Sequence, residues 1–237
     1  MGAIASRSLH TPRTTHGWAA WMLLAIPFFG IGGLLYASSQ RVVKPTMSIF
    51  QAVDSRDLDA IRAHARTGTD LNELDPSGHT ALYEALANED EKSATLLLQC
   101  GANPNASQKD LETPLMLASG QGNSEMVREL LKSGAHPNEG PGNGLDALCE
   151  GASSGNAVVV SYLLKAGADP NASLGSTGAT PLNIAAWRGD LRSVNLLLSA
   201  GARPNARGFE GRTPLDQATS RHHEDVVERL KKALVKY

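Results

Sequence analysis

The side chains best suited to metal binding or acid–base catalysis are seven histidines spread along the whole chain. They are His10, His16, His64, His79, His136, His222 and His223. The only dense group is His222-His223-Glu224, and no histidine pairs with Cys, Asp or Glu at the spacing of a known metal motif. We interpret this group as a solvated turn, so the sequence predicts no metal site.

Other catalytic signatures are also missing from the sequence. It contains no G-x-S-x-G element, no P-loop and no dinucleotide-binding glycine fingerprint. The glycine-rich stretch 140–144 follows no strand pattern that would aim it at a phosphate. We therefore predict a protein that is not an enzyme, with no catalytic residue and no cofactor.

The charge of the chain is close to neutral but unevenly distributed. The 237 residues contain 22 Lys and Arg against 24 Asp and Glu, a net charge of −2. The first 46 residues hold four basic residues and no acidic one, so the rest of the chain is acidic. Phosphate binding needs a basic surface, which argues against nucleic acid as a partner.

An apolar segment near the N-terminus predicts a membrane span. Residues 18–37 are mostly apolar, and residues 14–40 contain no charged side chain. Twenty residues in a helix match the thickness of the bilayer's hydrocarbon core, and Trp18 and Tyr36 suit its two boundaries. We predict a tail at 1–16, a transmembrane signal anchor at 17–37 and a linker at 38–46.

Two other interpretations of this segment stay open. It could be a cleaved signal peptide, with Ala37 and Ser39 as small residues before the cut, or a buried soluble helix. As an anchor, its preceding Arg7 and Arg13 slightly favour a cytoplasmic N-terminus. The C-terminal domain would then lie outside the cytoplasm, in the periplasm if the cell is bacterial; cleavage would instead make it exported and soluble.

Two short motifs recur in phase along the rest of the chain. The Thr-Pro-Leu motif and its variants begin at Thr80, Thr113, Asp146, Thr180 and Thr213. The motif Leu-Leu-x-x-Gly-Ala-x-Pro-Asn begins at Leu97, Leu130, Leu163 and Leu197. Successive copies lie 33 or 34 residues apart, which is typical of a repeat architecture.

On these motifs the chain resembles the ankyrin-repeat family, whose 33-residue repeat carries the signature T-P-L-H-x-A. The resemblance covers residues 47–237 and implies an all-α solenoid with a helix-turn-helix and a β-turn loop in each repeat. The predicted repeats are about 47–79, 80–112, 113–145, 146–179, 180–212 and 213–237, the outer two acting as caps.

The motif residues have direct physical roles. Thr caps the first helix, Pro suits its first position, and glycine ends the second helix. The asparagines at 105, 138, 171 and 205 are expected to tie down the loop backbone. The family's His is absent, and the fourth copy has Asp146-Ala147 in place of Thr-Pro, so we expect this repeat to be the least stable part of the stack.

Cys100 and Cys149 lie two repeats apart and are predicted to be free.

The resemblance implies that a protein partner binds the concave surface, made by the loops and the first helices. Trp187 stands out, because the aligned positions hold only small residues or Asp and because Trp and Arg are frequent binding anchors. It could instead pack against the next repeat. The proposed partner-binding residues are His79, Asn88, Glu112, Gln121, Ser153, Trp187, Arg188, Phe209, Arg212 and Arg221.

These observations predict a non-catalytic protein–protein interaction module tethered to a membrane. One alternative is an inhibitor or immunity-like protective factor that occludes an enzyme or a toxin. A second alternative is a soluble, exported binding protein produced by signal cleavage.

Overall fold

Each copy of the repeated motif forms a pair of short helices in the computed structural model, which describes residues 45–106, 112–141 and 146–235. The described residues contain twelve α-helices and no β-strand. The first helices of the pairs, here called the inner helices, are α1 Ile49–Asp54, α3 Ala81–Ala87, α5 Pro114–Gly120, α7 Ala147–Ser154, α9 Pro181–Arg188 and α11 Pro214–Ser220. The second, the outer helices, are α2 Leu58–Thr67, α4 Glu91–Gln99, α6 Ser124–Lys132, α8 Ala157–Lys165, α10 Leu191–Ser199 and α12 Glu224–Leu234.

None of the helices in these ranges is long and apolar enough to cross a membrane. The predicted anchor at 17–37 lies outside the described residues, as does most of the glycine-rich loop before α7.

The inner helices begin with side-chain caps, as the Thr-Pro motif predicts. Thr113, Thr180 and Thr213 each accept a hydrogen bond from the backbone N–H three residues later, and a proline follows each of them. In the fourth copy Asp146 takes the same role, because its Oδ1 accepts from the N–H of Cys149 at 2.7 Å. The substitution of Asp-Ala for Thr-Pro therefore keeps the cap.

Two rows of buried side chains hold the pairs together. Inner helices contact the inner helices of neighbouring pairs, and outer helices contact outer helices. Small side chains let the inner helices approach closely: Ala85, Ala118, Ala152, Ala185 and Ala218 are fully buried. Leucines fill the outer row, where Leu97, Leu130, Leu163, Leu197 and Leu230 are fully buried. Burial of this apolar surface is the main stabilising contribution to the fold.

An asparagine ladder, made of Asn105, Asn138 and Asn171, links the loops of successive repeats. The side-chain amide of Asn138 donates to the carbonyl of Gly167, and its oxygen accepts from the N–H of Asp169, both at 2.9 Å. Asn105 and Asn171 make the equivalent two bonds one repeat earlier and one repeat later. The sequence predicted that these asparagines tie down loop backbone; the structure shows that the loop they bind belongs to the following repeat.

We expect Asn138→Ala to lower the free energy of unfolding by about 1–2 kcal/mol, because two hydrogen bonds between repeats are lost. Urea unfolding followed by circular dichroism measures this. Asn88→Ala is the matched control, since Asn88 is exposed at the end of α3 and only its backbone carbonyl, which accepts from Arg56, bonds to another repeat in the described part of the chain. Equal losses in the two variants would contradict a role for the ladder between repeats.

Candidate functional site

A cavity of about 350 Å³ opens on the inner face, which we define as the exposed surface of the inner helices and the loops before them. It lies between α7 and α9. Its walls are mostly apolar, formed by Cys149, Glu150, Ser153, Leu174, Ile184, Trp187 and Phe209. Pockets that bind ligands or partner side chains combine apolar walls with a few polar groups in this way.

Trp187 forms one wall of the cavity and stays accessible, with 41% of its surface exposed. The guanidinium of Arg221, in the next repeat, lies 3.8 Å from the centre of its ring. The Trp187 carbonyl is 3.1 Å from Nε2 of His223. The indole is therefore held in place by cation–π stacking but is not buried in the core.

Phe209, which also lines the cavity, is 38% exposed and lies in a short 3-10 turn, Phe209–Gly211. Asn183, fully buried on α9, positions this loop through its amide, which donates to the carbonyl of Arg212 at 3.3 Å. Gly208 lies against Asn183, and an added Cβ there would come within 2.7 Å of Oδ1. Asn183 occupies the position of the family's His. The sequence showed that the His is absent but not that Asn183 holds this loop in place.

The polar wall of the cavity is acidic. The side chain of Glu150, on α7, packs against Gly120 of α5. A Cβ added to Gly120 would lie 3.0 Å from Oε2 of Glu150. Burial raises the pKa of Glu150, and the negative charges of Glu112 and Asp146 raise it further. No basic side chain is among the influences on this carboxyl. Glu150 thus brings an acidic group to the wall of the cavity, and no described basic side chain acts on it.

The comparison with known proteins agrees with this architecture. A family model described as ankyrin repeats (3 copies) matches residues 49–140 and 148–236, which is more than half of the chain. The chain belongs to the ankyrin-repeat family. Ankyrin repeats imply a protein–protein interaction module, and the family is typically non-catalytic.

Curated relatives share only short stretches with this ankyrin-repeat protein. A stretch of 49 residues is 45% identical to the potassium channel SKOR of Arabidopsis thaliana, covering 21% of this chain and 6% of the channel. A stretch of 53 residues is 42% identical to the ARF GTPase-activating protein GIT1 of Homo sapiens, covering 22% and 7%. A stretch of 61 residues is 44% identical to the glycerophosphocholine phosphodiesterase gde1 of Schizosaccharomyces pombe, covering 25% and 5%.

The chain therefore spans less than a tenth of the length of these relatives. Their names describe a channel, a GTPase-activating protein and a phosphodiesterase. Each match covers only one to two repeats, and the three named activities differ. The matches therefore do not indicate an activity for this ankyrin chain.

Three of the ten predicted partner-binding residues line the cavity: Ser153, Trp187 and Phe209. A fourth, Arg221, stacks on Trp187. Sequence reasoning missed Glu150 and Ile184. Both residues come one position after the family's His in the aligned repeats. Comparing this position between repeats could have identified them from the sequence.

Other predicted residues already contact the neighbouring ankyrin repeat. The amide of Gln121 donates to the carbonyl of Leu86 at 2.9 Å, and Arg188 reaches the carbonyl of Ser154 at 3.4 Å. Both bonds link the end of one inner helix to the end of the next. Asn88 is exposed at the end of α3, and exposed Arg212 pairs with Glu210 at 3.1 Å, outside the cavity.

His79 and Glu112 belong to a polar cluster at α3. The His79 ring stacks on Tyr83, with ring centres 4.1 Å apart, and Tyr83 donates its hydroxyl to Glu112 at 3.0 Å. Burial, followed by this bond, raises the pKa of Tyr83 to about 12. Ligand atoms of Asp75, His79 and Glu84 lie within 4.8 Å of one another, a grouping that could hold a metal ion and that the sequence analysis did not recognise.

Each member of that grouping also has a contact within the protein. Asp75 Oδ1 accepts from the backbone N–H groups of Ser77 and His79, and His79 Nδ1 lies 3.5 Å from Glu84. These contacts are enough to explain the conformation of the loop before α3, whether or not an ion binds there.

The two cysteines are free, as predicted. Cys149 is buried beneath the cavity, and burial raises the pKa of its thiol well above the usual range. A thiol that stays protonated is a poor nucleophile, so Cys149 serves as a packing residue.

Glu150→Gln should give a higher melting temperature than the wild type at pH 7. The pKa of Glu150 is higher in the folded chain than in the unfolded chain. The stability that this difference gives the wild type is therefore fully present below the unfolded pKa and is lost as pH rises through the folded pKa. The difference between the two chains should therefore shrink as the pH falls towards about 4, the ordinary range of Glu. Thermal unfolding at several pH values measures this.

Glu228→Gln is the control for that experiment. Glu228 is an exposed carboxylate on α12 whose pKa is lowered by its bond to Lys232. Its replacement removes the same charge without relieving a buried group, so the melting temperature should not rise. A rise of equal size in both variants would show that only net charge matters.

Proposed function

We propose that this ankyrin-repeat protein is a non-catalytic module that holds a protein partner near a membrane, binding it through the inner face. The observation that supports binding at this face is the cavity with two exposed aromatic walls, Trp187 and Phe209. Exposed aromatic side chains beside a pocket are the usual anchors of protein interfaces. The membrane tether rests on the apolar segment 17–37 of the sequence.

Affinity capture with the full chain tests the binding part. Wild-type and Trp187→Ala chains, carrying the same tag, are expressed in parallel and the retained proteins are identified by mass spectrometry. We expect a protein that the wild type retains and the variant loses. If every retained protein also binds Trp187→Ala and Phe209→Ala, the inner face is not the binding surface.

Cell fractionation tests the tether and its orientation. We propose that the N-terminus is cytoplasmic and the ankyrin domain lies outside the cytoplasm, in the periplasm of a bacterium. The chain should then stay with membranes after an alkaline wash, and protease added to spheroplasts should digest residues 47–237. Recovery in the soluble fraction, or protection from the protease, would contradict this arrangement.

A further inference from the structure

The cavity on the inner face is small, of a size suited to an anchoring side chain of a partner. At about 350 Å³ it lies at the lower end of the volumes of ligand pockets. Leu174 and Ile184 line it together with the two aromatic side chains. A partner would fill this space with a single aliphatic or aromatic anchor.

Charge is distributed unequally around the cavity. Glu150 lines it on the side of α7, with the charges of Glu112 and Asp146 near enough to act on its carboxyl. The cations beside the aromatic walls are already engaged. Arg221 stacks on Trp187, and Arg188 bonds to the carbonyl of Ser154. Beside Phe209, Arg207 bonds to the carbonyl of Gly211 and Arg212 pairs with Glu210. An anchor entering the cavity would cover part of Glu150, on whose carboxyl no basic side chain of the described residues acts.

We propose that the occupant is a segment of a partner protein in which a large apolar residue is followed or preceded closely by Lys or Arg. The apolar side chain fills the cavity between Trp187 and Phe209, and the cation pairs with Glu150. This inference rests on the proposed function, because it specifies the partner's chemistry at the same surface.

The alternatives fit the cavity less well. A purely apolar anchor would desolvate the Glu150 carboxylate without pairing it, which is costly. An acidic segment would meet the charges of Glu112, Asp146 and Glu150 and be repelled. A basic group next to the anchor supplies the missing opposite charge and gains from the apolar surroundings, where an ion pair is stronger than in water.

Selection from a phage library of random 12-residue peptides tests the proposal, with the full chain in mild detergent as the target. We expect the enriched peptides to contain Lys or Arg within a few positions of a large apolar residue. Synthetic copies of these peptides should bind Trp187→Ala at least about tenfold more weakly than the wild type. A parallel selection on Glu150→Lys should enrich acidic residues in place of basic ones.

The matched control is Glu228→Lys, which makes the same charge change on the outer helix α12 and should still select basic peptides. Peptides that depend on Trp187 but lack Lys and Arg, or that stay basic on Glu150→Lys, would overturn this inference and leave the proposed function standing. If no peptide is enriched, or if none depends on Trp187, both the inference and inner-face binding fail.

Discussion

Replacement of Trp187 by Ala should weaken binding of the protein partner by about 30-fold or more while leaving the helical circular-dichroism signal unchanged. Truncation of an interface anchor of this kind costs about 2 kcal/mol or more in binding. The indole is 41% exposed, and its ring stacks under the guanidinium of Arg221. Losing the cation–π contact should cost the fold only about 0.5–1 kcal/mol.

Binding is measured by titration calorimetry with the captured partner, and stability by thermal unfolding. Val158→Ala is the control, because Val158 is an exposed apolar residue on outer helix α8, away from the inner face. A large drop in the melting temperature of Trp187→Ala with unaltered binding would assign the indole to packing instead.

Truncation of Leu163 to Ala should lower the free energy of unfolding by about 2–5 kcal/mol, the range for buried leucines. Leu163 is fully buried on α8, in the middle of the outer row. Its Cδ1 packs so closely over Gly151 that a Cβ on the glycine would come within 3.1 Å of it. Neighbouring groups this tightly packed cannot collapse fully into the space left by the lost side chain.

Urea unfolding of both chains, followed by circular dichroism, measures the loss. Leu164→Ala is the internal control, because Leu164 is the next residue in the same motif and is only half-buried. Its loss should be clearly smaller than that of Leu163. Because each repeat contacts only its neighbours, Leu163→Ala should also broaden the transition by uncoupling the pairs on either side. A narrow transition with equal losses in the two variants would contradict this explanation.

Much of the fold could be predicted because its signals repeat. Thr-Pro, Leu-Leu and Gly-Ala recur at fixed spacing, and each has a local physical role that needs no knowledge of distant residues. The direction of the asparagine ladder could not be predicted in this way. A pattern within one repeat does not show whether Asn138 reaches the loop of its own repeat or that of the next.

The candidate site was predicted less completely, for a related reason. Trp187 is visible because it is large where its aligned neighbours are small. Glu150 is an ordinary charged residue, and its importance arises from its position over Gly120 and from the burial around it. The grouping of Asp75, His79 and Glu84 likewise depends on a turn that no metal motif describes. Such features depend on which side chains meet across repeats.

The asparagine ladder also makes the protein modular. Each of its asparagines binds a glycine carbonyl and a backbone N–H of the following loop, two groups that any repeat can present whatever its side chains. A whole repeat could therefore be duplicated, exchanged or inserted while this junction is preserved. Because the junction is preserved, the length of the binding surface can change by gene duplication or by design without redesigning the joints.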